Sequence, residues 1–153
     1  SASLVPMLEQ DGTSIRAVLG RSNDLTSPLQ TPTAVRLIDV KLSAGAHFSK
    51  QLDEGENAFV ILIDGDAMHE SDILHAGDVA SFGTSGGEVS LIAGSQGARF
   101  TLFAGQPYTH SRAQRGPFVA SDAQELQEFM SRYSTGNFGT LKPFAEQPPI
   151  KLT

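Results

Sequence analysis

Short apolar stretches separated by glycine, proline, asparagine and aspartate run along most of the chain. In one of them Ile38, Val40 and Leu42 alternate with the charged residues Asp39 and Lys41. Because successive side chains of a strand point to opposite faces, this alternation predicts a strand with one buried and one polar face. Many such stretches with turn residues between them predict an all-β fold.

The segment NAFVILI, residues 57–63, breaks this alternation because apolar side chains occupy both of its faces. Such a strand is typical of the interior of a layered sheet, so we expect it to be covered on both sides. The next segment, residues 66–78, has polar turn residues near its middle and predicts a β-hairpin.

One segment near the carboxyl end has a helical period. Its apolar residues recur at i, i+3, i+4 and i+7, on one side of a helix; they are Leu126, Phe129, Met130 and Tyr133. Ser121 is the expected N-cap, with Gln124 as its reciprocal partner. The pattern predicts one amphipathic helix over about residues 122–134. An extended tail is expected over residues 140–153, where proline interrupts helical structure.

Length and composition limit the classes of protein. A chain of 153 residues fits one domain, predicted over residues 1–153, and the lack of cysteine excludes disulfides and a thiolate nucleophile. The net charge is −6 and the basic residues are scattered, so direct binding to nucleic acid is not expected. No apolar run reaches the roughly 20 residues of a membrane helix, so we expect no membrane association and a cytoplasmic location.

Five segments carry a resemblance to a known family. They are EGENAFVILIDGD (54–66), LHAGDVASFG (74–83), GARFTLFAGQP (97–107), GPFVASDAQELQEF (116–129) and GNFG (136–139). With these segments in this order, the chain resembles the carboxy-terminal half of the pirin family, in the cupin superfamily. The resemblance implies an all-β fold, a cupin-type double-sheet jelly-roll barrel with one carboxy-terminal amphipathic helix.

Pirins resemble a pair of cupins in one chain. The resemblance implies that the amino-terminal cupin holds an iron-type metal through three histidines and a glutamate. It also implies that bacterial members act as quercetin 2,3-dioxygenases and that the animal protein is a nuclear cofactor of transcription. Since this chain resembles the other half, we expect no cofactor in it and an iron-type metal only in an amino-terminal cupin.

The cupin metal motif can be followed along this chain by counting from its turn glycines. The two first histidine positions fall on Gln51 and Asp53, the third on Ser90, and the glutamate position on Ile92. A non-haem metal centre needs imidazole and carboxylate donors that converge, and these residues offer a single carboxylate. The sequence therefore predicts no metal site, no cofactor site and no catalytic residue in this half.

The histidines leave an alternative open. His69 and His75 flank the predicted hairpin and are expected to face each other closely enough for an adventitious zinc or nickel ion. His47 precedes Asp53 in the same polar stretch. A metal site at either place would make the chain a quercetin 2,3-dioxygenase-like enzyme.

A small hydrophobic ligand inside the barrel is a further alternative. Four phenylalanines are candidates to line it: Phe59, Phe82, Phe100 and Phe103. Small barrels are usually filled by their own side chains, so ordinary core packing is the favoured interpretation.

The leading hypothesis is a structural role. A pirin-like carboxy-terminal cupin without its own metal would pack against the amino-terminal cupin of a two-cupin protein and would not be an enzyme on its own. An apolar surface left without that partner drives self-association, so a homodimer is expected for the chain alone. The remaining hypothesis is a protein-interaction module of a transcription cofactor, acting through an acidic surface.

Overall fold

The computed structural model describes residues 4–22, 24–29, 31 and 33–140. The chain divides into two compact units, the first ending at Pro107 and the second beginning at Tyr108. An extended tail was predicted over residues 140–153, and all of it after residue 140 lies outside the described residues. That residues 1–153 act as one cupin domain stays a prediction.

Strands make up the first unit, and the second combines a hairpin with a helix. The strands of the first unit are β1 (Met7–Gln10), β2 (Thr13–Leu19), β3 (Arg21–Ser22), β4 (Leu25–Thr26), β5 (Val35–Leu42), β6 (His47–Leu52), β7 (Asn57–His69), β8 (Asp72–His75), β9 (Val79–Phe82) and β10 (Gly87–Gly105). The second unit contains β11 (Ala113–Arg115), β12 (Phe118–Ala120) and helix α1 (Ala123–Ser134).

Eight strands form one antiparallel sheet that folds over on itself. Its order is β1-β2-β5-β10-β7-β8, with β6 also paired to β10 and β9 paired to β7. Strand β10 pairs with β6 over its first half, with β5 over its second half, and with β7 on both sides of an irregularity between Ala93 and Ala98. A long strand that changes partners at an irregularity turns the corner between two layers.

The inner faces of the two layers enclose one core. Its fully buried residues are mainly aliphatic and come from alternate positions of β5, β7 and β10: Ile38, Val40, Leu42, Val60, Leu62, Val89, Leu91, Phe100 and Leu102. Phe48 of β6 meets Phe100 edge to face, with ring centroids 5.3 Å apart. The alternation predicted for β5 is confirmed, since Asp39 and Lys41 lie on the opposite face from this core.

Strand β7 departs from its prediction. Ala58, Val60 and Leu62 are at most 4% exposed, whereas Phe59 is 38% and Ile63 is 47% exposed. The expectation that both faces of this strand are covered is therefore wrong. An apolar pattern shows that a face avoids water, but it does not say whether the same chain or another molecule covers that face.

The predicted helix is present and begins one residue later than its predicted cap implies. Asp122, not Ser121, is the N-cap, because its side chain accepts a hydrogen bond from the Glu125 N–H at 2.9 Å. The Glu125 carboxylate accepts in turn from the Ser121 N–H at 2.7 Å, so Glu125 takes the reciprocal place predicted for Gln124. No helix of the described residues is long and apolar enough to span a bilayer, and the cytoplasmic location stays a prediction.

Candidate functional site

The interior of the barrel is where a cupin would hold its ligand or metal, and here most of the side chains in it are hydrocarbon. On β6 the inward positions include Phe48 and Leu52, at 3% and 4% exposure, and on the facing half of β10 they include Val89 and Leu91, both at 0%. None of these four side chains has a donor atom for a metal. The chemistry of this part of the interior therefore does not fit an iron-type ion.

The four positions obtained by counting along the metal motif do not point into this interior. Gln51 and Ile92 are exposed and lie on the outer side of the β6–β10 pair, where Ser90 also lies. Asp53 follows the end of β6 with a side chain that is 79% exposed. The count falls on the outer face because the inward residues of these strands are one place away, and a one-residue offset turns a strand's side chain to the other face.

Three charged residues do occupy inward positions, and the sequence analysis missed them. Arg36 continues the inner row of β5, Lys50 lies between Phe48 and Leu52 on β6, and Glu56 precedes the inner row of β7. We call these residues the inner charged cluster. The sequence does contain a signal for these three residues. Each is a charged residue at one of the alternate positions that are otherwise apolar and face inward.

Hydrogen bonds hold the inner charged cluster together. The buried carboxylate of Glu56 accepts from the backbone N–H of Asp53 at 2.9 Å and from the guanidinium of Arg36. Arg36 also donates to the carboxylate of Asp53 at 3.2 Å. Burial lowers the pKa of Lys50, the charge of Arg36 lowers it further, and the charge of Asp53 opposes the shift. The guanidinium of Arg36 and the carboxylates of Glu56 and Asp53 therefore hydrogen-bond to one another, as in a structural ion pair at the end of a core.

His47 and Asp53 are not brought together. They lie at opposite ends of β6, and six residues of strand span about 20 Å. Instead, His47 Nε2 lies 2.8 Å from the Ser90 hydroxyl across the β6–β10 pair. Among the described residues the His47 ring makes no further hydrogen bond, so this serine–histidine pair lacks the third group that orients a catalytic base.

His69 and His75 do not face each other. In the β7–β8 hairpin His69 pairs with Asp72, and His75 pairs with Asp66, three positions along the strand. An odd offset places the two rings on opposite faces, about 10 Å apart along the strand, so they cannot share one metal ion. This corrects the expectation that they bridge a zinc or nickel ion across the hairpin.

Each of these histidines has a partner of its own. His69 Nδ1 lies 2.9 Å from the carbonyl oxygen of Ser90, which can only accept, so this nitrogen carries the proton. The His69 ring also packs edge to face on Phe82. His75 Nδ1 lies 2.7 Å from the Asp66 carboxylate, and this hydrogen bond raises the pKa of His75. Both arrangements are those of structural histidines.

The four candidate phenylalanines do not line one cavity. Phe100 is fully buried in the core, and Phe82 is partly buried at its margin. Phe59 and Phe103 lie on the outer side of the sheet, where their rings stack with centroids 4.7 Å apart and 10° between planes. The interior thus contains too few of these rings to form an aromatic ligand pocket.

The outer side of the sheet carries a second charged group, which we call the outer charged cluster: Arg16, Asp39, Lys41, Asp64 and Arg99. A concavity of about 370 Å³ lies among these residues. The Arg99 guanidinium donates to both oxygens of Asp39, at 3.1 and 3.2 Å, and this pairing raises the pKa of Arg99. Among the described residues, no group of three or more His, Cys, Asp or Glu could hold a metal ion.

Comparison with known proteins identifies the family. A family model described as the pirin C-terminal cupin domain matches residues 37–139. The chain belongs to the pirin family. A pirin-like protein of Arabidopsis thaliana is 30% identical over 145 residues, which cover 91% of this chain and 53% of that protein. Pirin of Homo sapiens is 25% identical over 136 residues, which cover 81% of this chain and 44% of that protein.

Solved structures agree with the sequence relatives. Quercetin 2,3-dioxygenase from Acinetobacter baumannii superposes with a TM-score of 0.80 at 26% identity, covering 93% of this chain and 50% of that one. The predicted cupin-type jelly-roll barrel is thereby confirmed. This pirin chain spans about half the length of the curated relatives it matches.

Proposed function

We propose that this chain is the structural carboxy-terminal cupin of a pirin-type pair, without a metal of its own. It would pack against an amino-terminal cupin that holds an iron-type metal and would limit access to that metal. On this proposal the chain is not an enzyme by itself.

The observation that carries the proposal is the filled interior of the barrel. Phe48, Leu52, Val89 and Leu91 occupy inward positions of β6 and β10 and supply no nitrogen or oxygen ligand. Two of the three inward charged residues, Arg36 and Glu56, bind each other. The match to the C-terminal cupin domain of pirins and the half-length overlap with the relatives support the assignment to one half of a pair.

The second candidate is a quercetin 2,3-dioxygenase-like enzyme, which the superposition on the Acinetobacter baumannii protein of that name favours. In this candidate the activity would need a metal bound by this chain. Two neighbouring side chains with donor atoms are His47 and Ser90, which form a pair on the outer side of the barrel.

Metal analysis of the purified chain separates the two candidates. The chain would be expressed without a histidine tag, in medium supplied with iron, nickel, zinc and manganese, and analysed for all four metals and for quercetin oxidation. The structural proposal expects metal well below one equivalent per chain and no turnover. One tightly bound metal per chain, lost in His47→Ala but kept in the control His75→Ala, would overturn it in favour of the enzyme.

A further inference from the structure

An apolar stripe crosses four neighbouring strands on the outer side of the sheet. Val79 of β9 pairs with Ile61 of β7, and Phe59 of β7 pairs with Phe103 of β10, which pairs with Leu37 of β5. Directly paired residues share a face of a sheet, so these five side chains form one continuous surface. We call it the outer apolar face.

The outer apolar face is open to solvent at its most apolar points. Val79 is 56% exposed and Phe59 is 38% exposed. The Phe59 and Phe103 rings stack nearly parallel, with centroids 4.7 Å apart, so they form one aromatic pair at the centre of this face. Scattered apolar residues are ordinary on a protein surface, but a continuous stripe with a stacked aromatic pair indicates a contact surface.

Polar residues bound this face at one end. Along β10 the outward row runs from Phe103 through Thr101 to Arg99, and along β5 it runs from Leu37 through Asp39 to Lys41. The outer charged cluster therefore begins one pair beyond the apolar stripe. An apolar centre with a charged margin is the usual composition of a protein–protein interface.

We propose that the outer apolar face is a cupin–cupin contact surface and that, in the 153-residue chain alone, a second copy of the chain occupies it. The inference rests on the proposed pairing role. The matched relatives are about twice as long as the region they share with this chain, so a carboxy-terminal cupin of this family occurs beside a comparable length of protein. The margin of the face carries charges of both signs, with Asp64 beside Arg16 and Lys41, so a second copy related by a two-fold axis can set opposite charges against each other.

The contact would be two-fold symmetric. In such a contact the same patch meets itself, so the stacked rings of Phe59 and Phe103 would lie on or near the axis and pack against the same pair of the other copy. Val79, farther along the stripe, would lie within the contact as well.

Sedimentation of the 153-residue chain over a wide range of concentrations tests the proposal. We expect a concentration-dependent dimer. Val79→Glu should raise the dissociation constant of the dimer by about tenfold or more, because the substitution places a charge in the contact of both copies. Val79 is mostly exposed, so this variant should keep the wild-type circular dichroism spectrum and unfolding midpoint.

A second apolar group on the outer side provides the matched control. Ile73, Met68 and Ile92 are paired neighbours on β8, β7 and the first half of β10, and each is exposed. Ile73→Glu removes an even more exposed apolar side chain, at 62%, from outside the outer apolar face. The dissociation constant of this variant should stay within about twofold of the wild type.

Cross-linking gives a readout that does not depend on weakening the dimer. Because the chain has no cysteine, Phe59→Cys introduces a single thiol. Mild oxidation should give a disulfide-linked dimer of Phe59→Cys, and Ile73→Cys should remain uncrosslinked.

A monomer at all concentrations, or a dimer sensitive to Ile73→Glu and not to Val79→Glu, would overturn the assignment. The assignment would also be overturned by a monomer in which residues after Pro107 cover the outer apolar face. None of these results would affect the metal analysis, so the proposed structural role and this contact surface can fail separately.

Discussion

The inner and outer faces of the sheet belong to the same strands but differ in what covers them. On β10, Phe100 and Leu102 point inward and are 0% exposed, whereas Phe103 points outward, stacked on the 38% exposed Phe59. The inner face is covered by the opposite layer of the same chain, which happens on folding. The outer face is also apolar in its centre, but Phe59 stays exposed there, and we propose that a second copy of the chain covers it.

The two charged clusters show the same difference. Arg36 and Glu56 of the inner charged cluster have side chains only 15% and 9% exposed. Arg99 and Asp39 of the outer charged cluster are 50% and 22% exposed. Water screens the outer pair and is largely excluded from the inner one, so the inner pair should matter more for stability.

The largest effect is expected when two phenylalanines of β10 are compared. Phe100→Ala leaves a cavity in the closed core and should lower the free energy of unfolding by about 3–5 kcal/mol. Phe103→Ala removes a side chain that is only partly buried and should cost about 1 kcal/mol. Urea unfolding at equal protein concentration measures both, and similar losses for the two variants would show that the outer face is part of the folded core.

The charged pairs should differ in the same sense with smaller effects. Glu56→Gln leaves the Arg36 guanidinium poorly compensated in a largely buried place and should cost about 3 kcal/mol. Asp39→Asn breaks a more exposed pair and should cost less than about 1 kcal/mol, falling as salt is added. Equal costs in urea unfolding, or a salt-dependent cost for Glu56→Gln, would contradict this ranking.

The smallest effect concerns His75 and Asp66 on the outer surface of the hairpin. The hydrogen bond to Asp66 raises the pKa of His75 above its ordinary 6.5, so the protonated ring is favoured in the folded chain. Its contribution to stability is therefore fully present below about pH 6.5 and is lost as the pH rises through the folded pKa. In an NMR titration Asp66→Asn should lower the pKa of His75, and Asp72→Asn, on the same hairpin, should leave it in place. A pKa unchanged in Asp66→Asn would contradict the assigned hydrogen bond.

The parts of the fold that could be predicted depend on local periodicity. The alternation around Ile38 and Val40 predicts the buried face of β5, and the polar residues after His69 predict the β7–β8 hairpin. The helix was predicted to within one residue at its start, since an i, i+3, i+4 apolar pattern and a capping residue are local features. The family resemblance likewise rested on contiguous segments, and the match over residues 37–139 confirms it.

The site was predicted less well because it depends on register. Counting from turn glycines selected Gln51 and Ser90, but the pairing of β6 with β10 turns these positions outward. His75 pairs with Asp66, which lies three residues before His69 on β7. This offset separates two histidines that are close in sequence. A single residue of register decides the face of a side chain, and no local pattern records it.

The amino-acid sequence by itself determined that this chain is a strand-rich cupin of the pirin family with one capped helix. Periodicity, turn residues and motifs each depend only on residues that are close together in the sequence. Only the tertiary structure decided which apolar face is inside. Strand β7 is apolar on both sides, and the pairing of the layers buries Val60 while it leaves Phe59 facing out. The hydrophobic effect acts equally on both faces, and the geometry of the sheet determines which one the chain itself can cover.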